Sequence, residues 1–342
     1  MGRRGFNTKY NTSIGAHSMT TLTTGEANIG LGVNALTTLL TGTRNIAIGN
    51  NAMYDLDAGS TAQDSDDNIF IGYIAGGGAW ANTKSEFNVG IGNYVMDAAM
   101  DGAGSNVAIG YNAFTDLTTG DNNVAVGYEA GKSHTTPNWG VYVGHQAGQR
   151  VTTGGQNVLI GGQAGNKIIT GERNVAIGGA AFQEGIGSST TAIGDNAGAY
   201  ATGSYNTFVG KSAGIGGQQS APWSSGQYNT AIGQNAMAGL TSAVSNVAVG
   251  NSALEDITSA TSNVAVGLNA GANITSGGYN TILGREAGIT MTTTANTVLI
   301  GYAAGDAINS VDANGTIAIG YQAGTAITSG QKNTAIGYEA LY

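Results

Sequence analysis

Two short stretches of this 342-residue chain have residue types and spacings that serve catalysis or cofactor binding in other proteins. GKSAG at 210–214 fits the G-x-S-x-G spacing of a nucleophile elbow, in which Ser212 would be the nucleophile. GLGVNA at 30–35 fits the G-x-G-x-x-A spacing of a dinucleotide-binding turn, which needs a helix after it and an acidic residue about 20 positions later. Whether either motif could function therefore depends on the secondary structure around it.

The three histidines are candidates for metal binding. His17, His134 and His145 have no H-x-H or H-x-x-x-H spacing, and the chain has no cysteine that could complete a site. We therefore expect histidines at the surface or in turns, and no bound metal or cofactor.

One repeat generates both motifs. The pattern aliphatic-Gly-x-x-small recurs nineteen times, mostly 17 residues apart, and the slot of Ser212 holds Glu129 or Gln146 in other copies. A serine in that slot is an accident of the repeat, so the sequence does not predict an enzyme. A single period predicts one repeat array over residues 1–342. The anchor glycines of the repeats are Gly15, Gly32, Gly49, Gly72, Gly92, Gly110, Gly127, Gly144, Gly161, Gly178, Gly194, Gly210, Gly233, Gly250, Gly267, Gly284, Gly301, Gly320 and Gly337.

NVAVG at 123–127 shows the pattern within a repeat. Val124 and Val126 are two residues apart and share one strand face, so we expect them to fill the coil. Ala125 occupies a position that is never charged, and a strand that is apolar on both faces is buried on both. We expect Ala125 to face identical chains around an axis. Asn123 occupies a position that is Asn in fifteen repeats and predicts an amide ladder, while Gly127 predicts a corner.

The predicted fold class is all-β. A second apolar position seven residues after the glycine, such as Leu117, leads into turns such as TTG at 118–120, so we expect two short strands and two turns per repeat. The chain would form a parallel β-solenoid of about nineteen 17-residue repeats, on the order of 85 Å long. Glycine at this density would cost about 1 kcal/mol per site in helices, which disfavours a helical repeat.

Composition limits the partners. The net charge is −9, and the 12 Lys and Arg residues are dispersed, so no basic surface for nucleic acid or an anionic membrane is predicted. No run approaches the roughly 20 apolar residues of a membrane span, and MGRRGFNTKYNTSIG at the start lacks the apolar stretch of a signal peptide. We expect neither nucleic-acid binding nor membrane insertion.

The recurring motif N-[VT]-A-[IV]-G-x-x-A, with NTAIGYEALY at 333–342 as its clearest copy, resembles two groups of repeat proteins. One is the head repeats of trimeric autotransporter adhesins, the YadA-like left-handed parallel β-rolls. The other is the NTAIGYEAL repeats of bacteriophage tail fibres and related virion proteins. The resemblance covers nearly the whole chain and implies a left-handed β-roll, a homotrimeric fibre and attachment to cell surfaces. The adhesin heads have somewhat shorter repeats, and this chain shows no stalk heptads, membrane anchor or signal peptide, which favours the tail fibre.

Longer spacings interrupt the repeat and predict insertion loops at about 53–67, 76–87 and 214–228. Exposed tryptophan beside carboxylates and amides is suited to stacking on a saccharide, and paired carboxylates can hydrolyse one. The alternative is that the loop tryptophans fasten their own loops to the rod and that the aspartates form a solvated loop. The candidate glycan or receptor contacts are Trp80, Trp139, Trp223, Asp64, Asp66 and Asp67.

The sequence thus predicts a structural fibre or adhesion protein. The leading prediction is a phage tail fibre in the virion. Its expected partners are further copies of itself, other virion tail or fibre proteins, and a glycan or protein receptor on the host cell surface. A bacterial surface adhesin or extracellular filament subunit is the alternative, and a glycan depolymerase is a third possibility.

Overall fold

The structure is a computed structural model that describes residues 9–56, 64–217 and 224–342. The chain divides into two compact units, Met1–Thr170 and Gly171–Tyr342. In both units the described residues form parallel β-solenoid coils of about 17 residues, which confirms the predicted fold class.

Nineteen three-residue strands lie within the described residues, each ending directly before an anchor glycine. The first unit contains β1 (Thr12–Ile14), β2 (Ile29–Leu31), β3 (Ile46–Ile48), β4 (Ile69–Ile71), β5 (Val89–Ile91), β6 (Val107–Ile109), β7 (Val124–Val126), β8 (Val141–Val143) and β9 (Val158–Ile160). The second contains β10 (Val175–Ile177), β11 (Thr191–Ile193), β12 (Thr207–Val209), β13 (Thr230–Ile232), β14 (Val247–Val249), β15 (Val264–Val266), β16 (Thr281–Leu283), β17 (Val298–Ile300), a short 3₁₀ helix (Val311–Ala313), β18 (Ile317–Ile319) and β19 (Thr334–Ile336).

Within each unit, every strand pairs in parallel with the next strand along the chain. The pairing keeps equivalent repeat positions side by side: Val124 lies opposite Val141, and Ala125 lies opposite Tyr142. The register is unchanged across the longer spacings, since Ile46 of β3 still pairs with Ile69 of β4. Extra residues therefore leave the coil as loops and do not shift the sheet.

The two faces of each strand are the reverse of what the sequence suggested. Ala125 is fully buried inside the coil, whereas Val124 and Val126 point outward and are partly exposed. The middle residue is likewise buried in every strand from β2 to β19. The predictions that the valines fill the coil and that Ala125 faces other chains are both wrong. Period-2 alternation shows which residues share a face, but it does not show which face is inside.

The narrow interior explains this orientation. In many coils the interior also contains large side chains from the positions four and seven after the glycine, such as the fully buried Met237 and Leu240. Where the middle strand residue is large, the residue four after the glycine is Gly: a Cβ on Gly214 would lie 2.2 Å from the ring of Phe208, and one on Gly148 would lie 2.5 Å from that of Tyr142. A large residue can therefore occupy one of the two positions, but not both.

The anchor glycine is required by its backbone and by its neighbours. Gly127 has φ +139°, and a Cβ there would lie 2.4 Å from the carbonyl oxygen of Gly144 in the next turn. The non-strand part of the repeat contains further left-handed residues, here Asn122, Glu129 and Gly131. A run of left-handed turns replaces the predicted second strand, so among the described residues each coil contributes one strand to the sheet and not two.

The predicted insertion loops are described in part. Residues 76–87 lie wholly within the described range, while 57–63 of the first loop and 218–223 of the third lie outside it. Of the candidate contacts, Trp223 lies outside the described range.

Candidate functional site

The outward residues of the strands form a surface that we call the strand face: the first and third residue of every strand. In all strands the first of these is Val, Ile or Thr, and the third is Val, Ile or Leu. Val264 and Val266 of β15 are 39% and 38% exposed, and other members are partly exposed to a similar degree. Each unit therefore presents two adjacent rows of β-branched and aliphatic side chains to the outside. Charged side chains are absent from both rows among the described residues.

An amide ladder runs beside the strands. The backbone N–H and the side-chain amide of Asn123 both donate to Oδ1 of Asn106, at 2.9 and 3.1 Å. The same side-chain amide also donates to the carbonyl oxygen of Pro137 at 2.9 Å, while Asn123 Oδ1 accepts from the backbone N–H of Gly140 at 2.7 Å. Asn123 is fully buried, and all of its polar groups are engaged in joining coils. These asparagines are structural and are not available to a ligand.

Trp80 lies inside the molecule. It has no exposed surface, its Nε1–H donates to the carbonyl oxygen of Gly76 at 3.1 Å, and its ring packs edge-on against Phe70 at 5.8 Å. Its backbone N–H donates to the carbonyl oxygen of Asp55. The ring fastens its own loop to the coil, as the alternative interpretation predicted, and it has no face free for a saccharide.

The aspartates of the first loop bind the preceding turn. Asp64 accepts a hydrogen bond from the hydroxyl of Thr41, and Asp66 accepts from the backbone N–H of Thr43 at 2.6 Å and from its hydroxyl at 2.9 Å. Asp67 pairs with Arg44 through two contacts of 2.5 and 2.7 Å.

The hydrogen bond from the Arg44 guanidinium lowers the pKa of Asp67. The main role of these aspartates is to join two consecutive coils.

Of the two candidate tryptophans within the described residues, Trp139 is the one that lies at the surface. It is 59% exposed and lies five residues before its anchor glycine, a position that we call the corner row. Corner residues have left-handed backbones: φ is 60° at Trp139, 61° at Phe87 and 62° at Tyr279. This row was not predicted from the sequence. Its signal was an aromatic residue recurring five before the glycine, at Tyr10, Phe87, Trp139, Tyr205, Tyr228 and Tyr279.

A second set of aromatic residues borders the other side of the strands, one residue after the glycine. In the first unit Tyr111 stacks on Tyr128 at 5.6 Å and Tyr128 stacks on His145 at 5.2 Å, with planes 8° and 9° apart. In the second unit Tyr321 stacks between Tyr302 and Tyr338. Neighbouring rings cover each other's faces, so these stacks join consecutive coils and present mainly ring edges and hydroxyls to the outside.

His134 is buried, contrary to the expectation of a surface or turn histidine. Its Nε2 lies 3.1 Å from the carbonyl oxygen of Pro137, and its Nδ1 lies 3.2 Å from the hydroxyl of Tyr142. A carbonyl can only accept, so Nε2 carries the proton and Nδ1 accepts from the tyrosine. Burial lowers the pKa of His134 to about 4 and raises that of Tyr142. This pair is enclosed by the ring of Phe114 and has no opening to a substrate.

The two motifs with possible chemistry fall in repeat turns. Ser212 follows β12 in a turn with φ 56°, and its backbone N–H donates to the carbonyl oxygen of Asp195. β2 is likewise followed by turns at 32–38. Neither stretch leads into the helix on which a nucleophile elbow or a dinucleotide site depends.

Comparison with known proteins gives no match to a family model, a curated protein or a solved structure. The described residues contain no cluster of three or more His, Asp or Glu side chains placed to hold a metal ion. In the same part of the chain, none of the helices has the length and apolar character needed to cross a bilayer.

Proposed function

We propose that the protein is the structural subunit of a homotrimeric fibre, in which the strand faces of three copies pack against one another. The observation that carries this proposal is the strand face itself. Within each unit, two continuous rows of Val, Ile, Thr and Leu remain partly exposed in the single chain, and the described strands carry no charged side chain in these rows. Continuous apolar surface of this kind is typical of interaction sites.

A further copy of the same chain is the partner that fits this surface best. The strand face repeats at every coil with a constant spacing, and only a surface with the same repeat could match it along its length. Small globular partners would cover a few coils and leave the others exposed. The resemblance to tail-fibre and adhesin repeats supports three copies around an axis.

The role of such a fibre is mechanical support and attachment. The amide ladder, the aromatic stacks and the parallel hydrogen bonds all join one coil to the next, which suits a shaft that must resist bending. Of the settings that the resemblance offers, we propose a phage tail fibre with other virion proteins and a host-surface receptor as partners. A bacterial surface adhesin is the alternative, and immunogold labelling of virions and of cells distinguishes the two.

Light scattering of the purified chain tests the assembly. The chain mass is 34.1 kDa, so a trimer would have three times this mass, about 102 kDa. A mass of one chain at micromolar concentration would overturn the proposal, and a dimer would overturn its three-fold symmetry.

A further inference from the structure

The corner row of the first unit brings two exposed aromatic rings to either end of a polar segment. Successive corner residues donate their backbone N–H to the preceding coil: Ser105 to the carbonyl oxygen of Glu86 at 3.0 Å, Asn122 to that of Gly104 at 3.0 Å, and Trp139 to that of Asp121 at 3.2 Å. These bonds align Phe87, Ser105, Asn122 and Trp139 on consecutive coils. At the spacing of parallel strands, Phe87 and Trp139 are about 14 Å apart along the row.

A groove of about 280 Å³ lies next to Phe87 and reaches Asn122, one coil before Trp139. Its lining includes Lys84, Glu86, Ser105, Asp121 and Asn122. Gly102 and Gly104 also line the groove. Donors and acceptors thus lie along the corner row between the positions of Phe87 and Trp139, and we call the groove together with Trp139 the corner trough.

The polar groups of the trough keep hydrogen-bonding capacity for a ligand. Asp121 accepts one hydrogen bond from the backbone N–H of Gly104 at 2.7 Å, and Glu86 lies 3.8 Å from the ammonium of Lys84. A carboxylate has about four acceptor positions, so both side chains can accept more. The Asn122 side chain adds an amide donor and a carbonyl acceptor in the next coil.

The backbone at the two aromatic residues is strained. Phe87 and Trp139 have φ of 61° and 60°, a region that bulky side chains rarely adopt and that Asn and Gly tolerate well. Packing does not compensate for this strain, because the rings are 57% and 59% exposed and contact no other aromatic ring among the described residues.

We propose that the corner trough binds a neutral oligosaccharide, with Phe87 and Trp139 stacking on pyranose rings and Glu86, Asp121 and Asn122 hydrogen-bonding to hydroxyls. Aromatic faces flanked by carboxylates and amides match the two sides of a sugar, which has apolar C–H faces and a polar rim. The inference deepens the attachment role proposed above by naming the chemistry of the receptor, and it depends on that role for its biological purpose.

Other ligand classes fit the trough less well. The lining has two carboxylates and one ammonium, so its net charge is negative and disfavours phosphate and sulfate groups, which argues against nucleic acid and against acidic glycans. A peptide would need a deep apolar pocket for an anchoring side chain, but apart from Phe87 the groove is lined by glycine and by polar or charged residues.

Calorimetric titration of the full-length protein tests the site. The probes are cellotetraose, maltotetraose and chitotetraose, with tetragalacturonate as the acidic comparison. We expect at least one neutral probe to bind with a Kd of about 1 mM or tighter, and tetragalacturonate to bind more weakly. Trp139→Asn and Phe87→Asn should each weaken binding about ten-fold or more, since each removes a stacking face.

The choice of asparagine keeps folding separate from binding. Asparagine suits a left-handed backbone, so both variants should unfold at the same denaturant concentration as the wild type or at a higher one. Tyr279→Asn is the matched control: it makes the same change at a corner residue with φ 62° in the other unit, and should leave binding unchanged.

The saccharide site is overturned if none of the neutral probes binds, or if both trough variants bind like the wild type. Light scattering on the same samples separates this result from the proposed fibre. A trimer that binds no probe refutes the site alone, and a single chain that binds a probe refutes the fibre alone.

Discussion

At the residue level, the buried pair of His134 and Tyr142 shows how an isolated polar group is accommodated in an apolar core. The ring of Tyr142 fills the coil, and its hydroxyl requires a partner that His134 provides at 3.2 Å. The histidine in turn donates to the carbonyl oxygen of Pro137. The neutral imidazole satisfies both contacts, whereas the imidazolium would present a second donor to the tyrosine and carry a charge into the core.

Acid should therefore destabilise the fold through His134. Its pKa falls from about 6.5 in the unfolded chain to about 4 in the folded protein, so the unfolded state binds the extra proton between these values. The contribution of His134 is fully present above pH 6.5 and is lost as the pH falls to 4, with a loss of about 3 kcal/mol. Urea unfolding at about pH 7.5 and about pH 4 measures it.

His134→Gln provides the control, because its side-chain amide can still donate to Pro137 but does not titrate. Asp97 acts in the opposite direction. Burial raises its pKa to about 6, so its favourable contribution is present at low pH and is lost as the pH rises through that value. Asp97 is present in both proteins and cancels in the comparison. An equal pH dependence for the wild type and His134→Gln would contradict the prediction.

At the level of the coil, two positions share the interior volume. Phe208 in β12 is paired with Gly214, whereas in the next coil the small Ala231 of β13 is paired with Met237. Gly214 and Met237 have nearly the same left-handed backbone, with φ of 55° and 54°. The large side chain therefore comes from either side of the coil, and the backbone stays the same.

A double-mutant cycle tests this exchange. Phe208→Ala alone should cost about 3–5 kcal/mol because it leaves a cavity. Gly214→Met alone should also destabilise, since even its Cβ would lie 2.2 Å from the Phe208 ring. Phe208→Ala combined with Gly214→Met reproduces the pair of residues in the neighbouring coil. We expect the double variant to lose about 2 kcal/mol less unfolding free energy than the two single variants lose together. Urea unfolding of the four proteins gives the coupling energy, and simple additivity would show that the positions are independent.

This exchange also shows how far the sequence determines the coil. Each strand lies at the predicted place, from Val124 to Val126 and in every other repeat, because the 17-residue period is explicit. The sequence pattern did not predict that the side chain of Ala125 points into the coil, because the large β-branched residues were expected to fill the interior. The necessary signal was present in the sequence: a large middle residue, such as Phe208, coincides with Gly four positions after the anchor. The corner aromatic residues were overlooked because their left-handed backbone follows from the turn and not from hydrophobic periodicity.

At the level of the whole molecule, the reversal of the two strand faces changes which residues we propose for the contact between chains. The basis of the proposal, an apolar outer face, stays the same. The sequence pattern predicted alanines on the face between chains, whereas the structure places Val, Ile, Thr and Leu on the outward face of the strands. Larger apolar side chains provide more surface to bury, at about 25 cal/mol per Å². The strand face thus suits the proposed contact between chains better than a row of alanines would, and it can be changed without altering the core of the coil.

Val266→Asp should separate the chains and leave each one folded. Val266 is 38% exposed in the single chain, so the carboxylate of an aspartate at this position would be hydrated there. In the proposed trimer three such carboxylates would be buried near one axis. Burying unpaired charges of this kind costs on the order of several kcal/mol. Ala265→Asp, one residue earlier, should instead unfold its coil because Ala265 is fully buried. Ser259→Asp adds the same charge at an exposed turn and should change neither property. Light scattering and circular dichroism distinguish the three outcomes. A Val266→Asp protein that keeps the full assembled mass would show that the strand face is not the contact between chains.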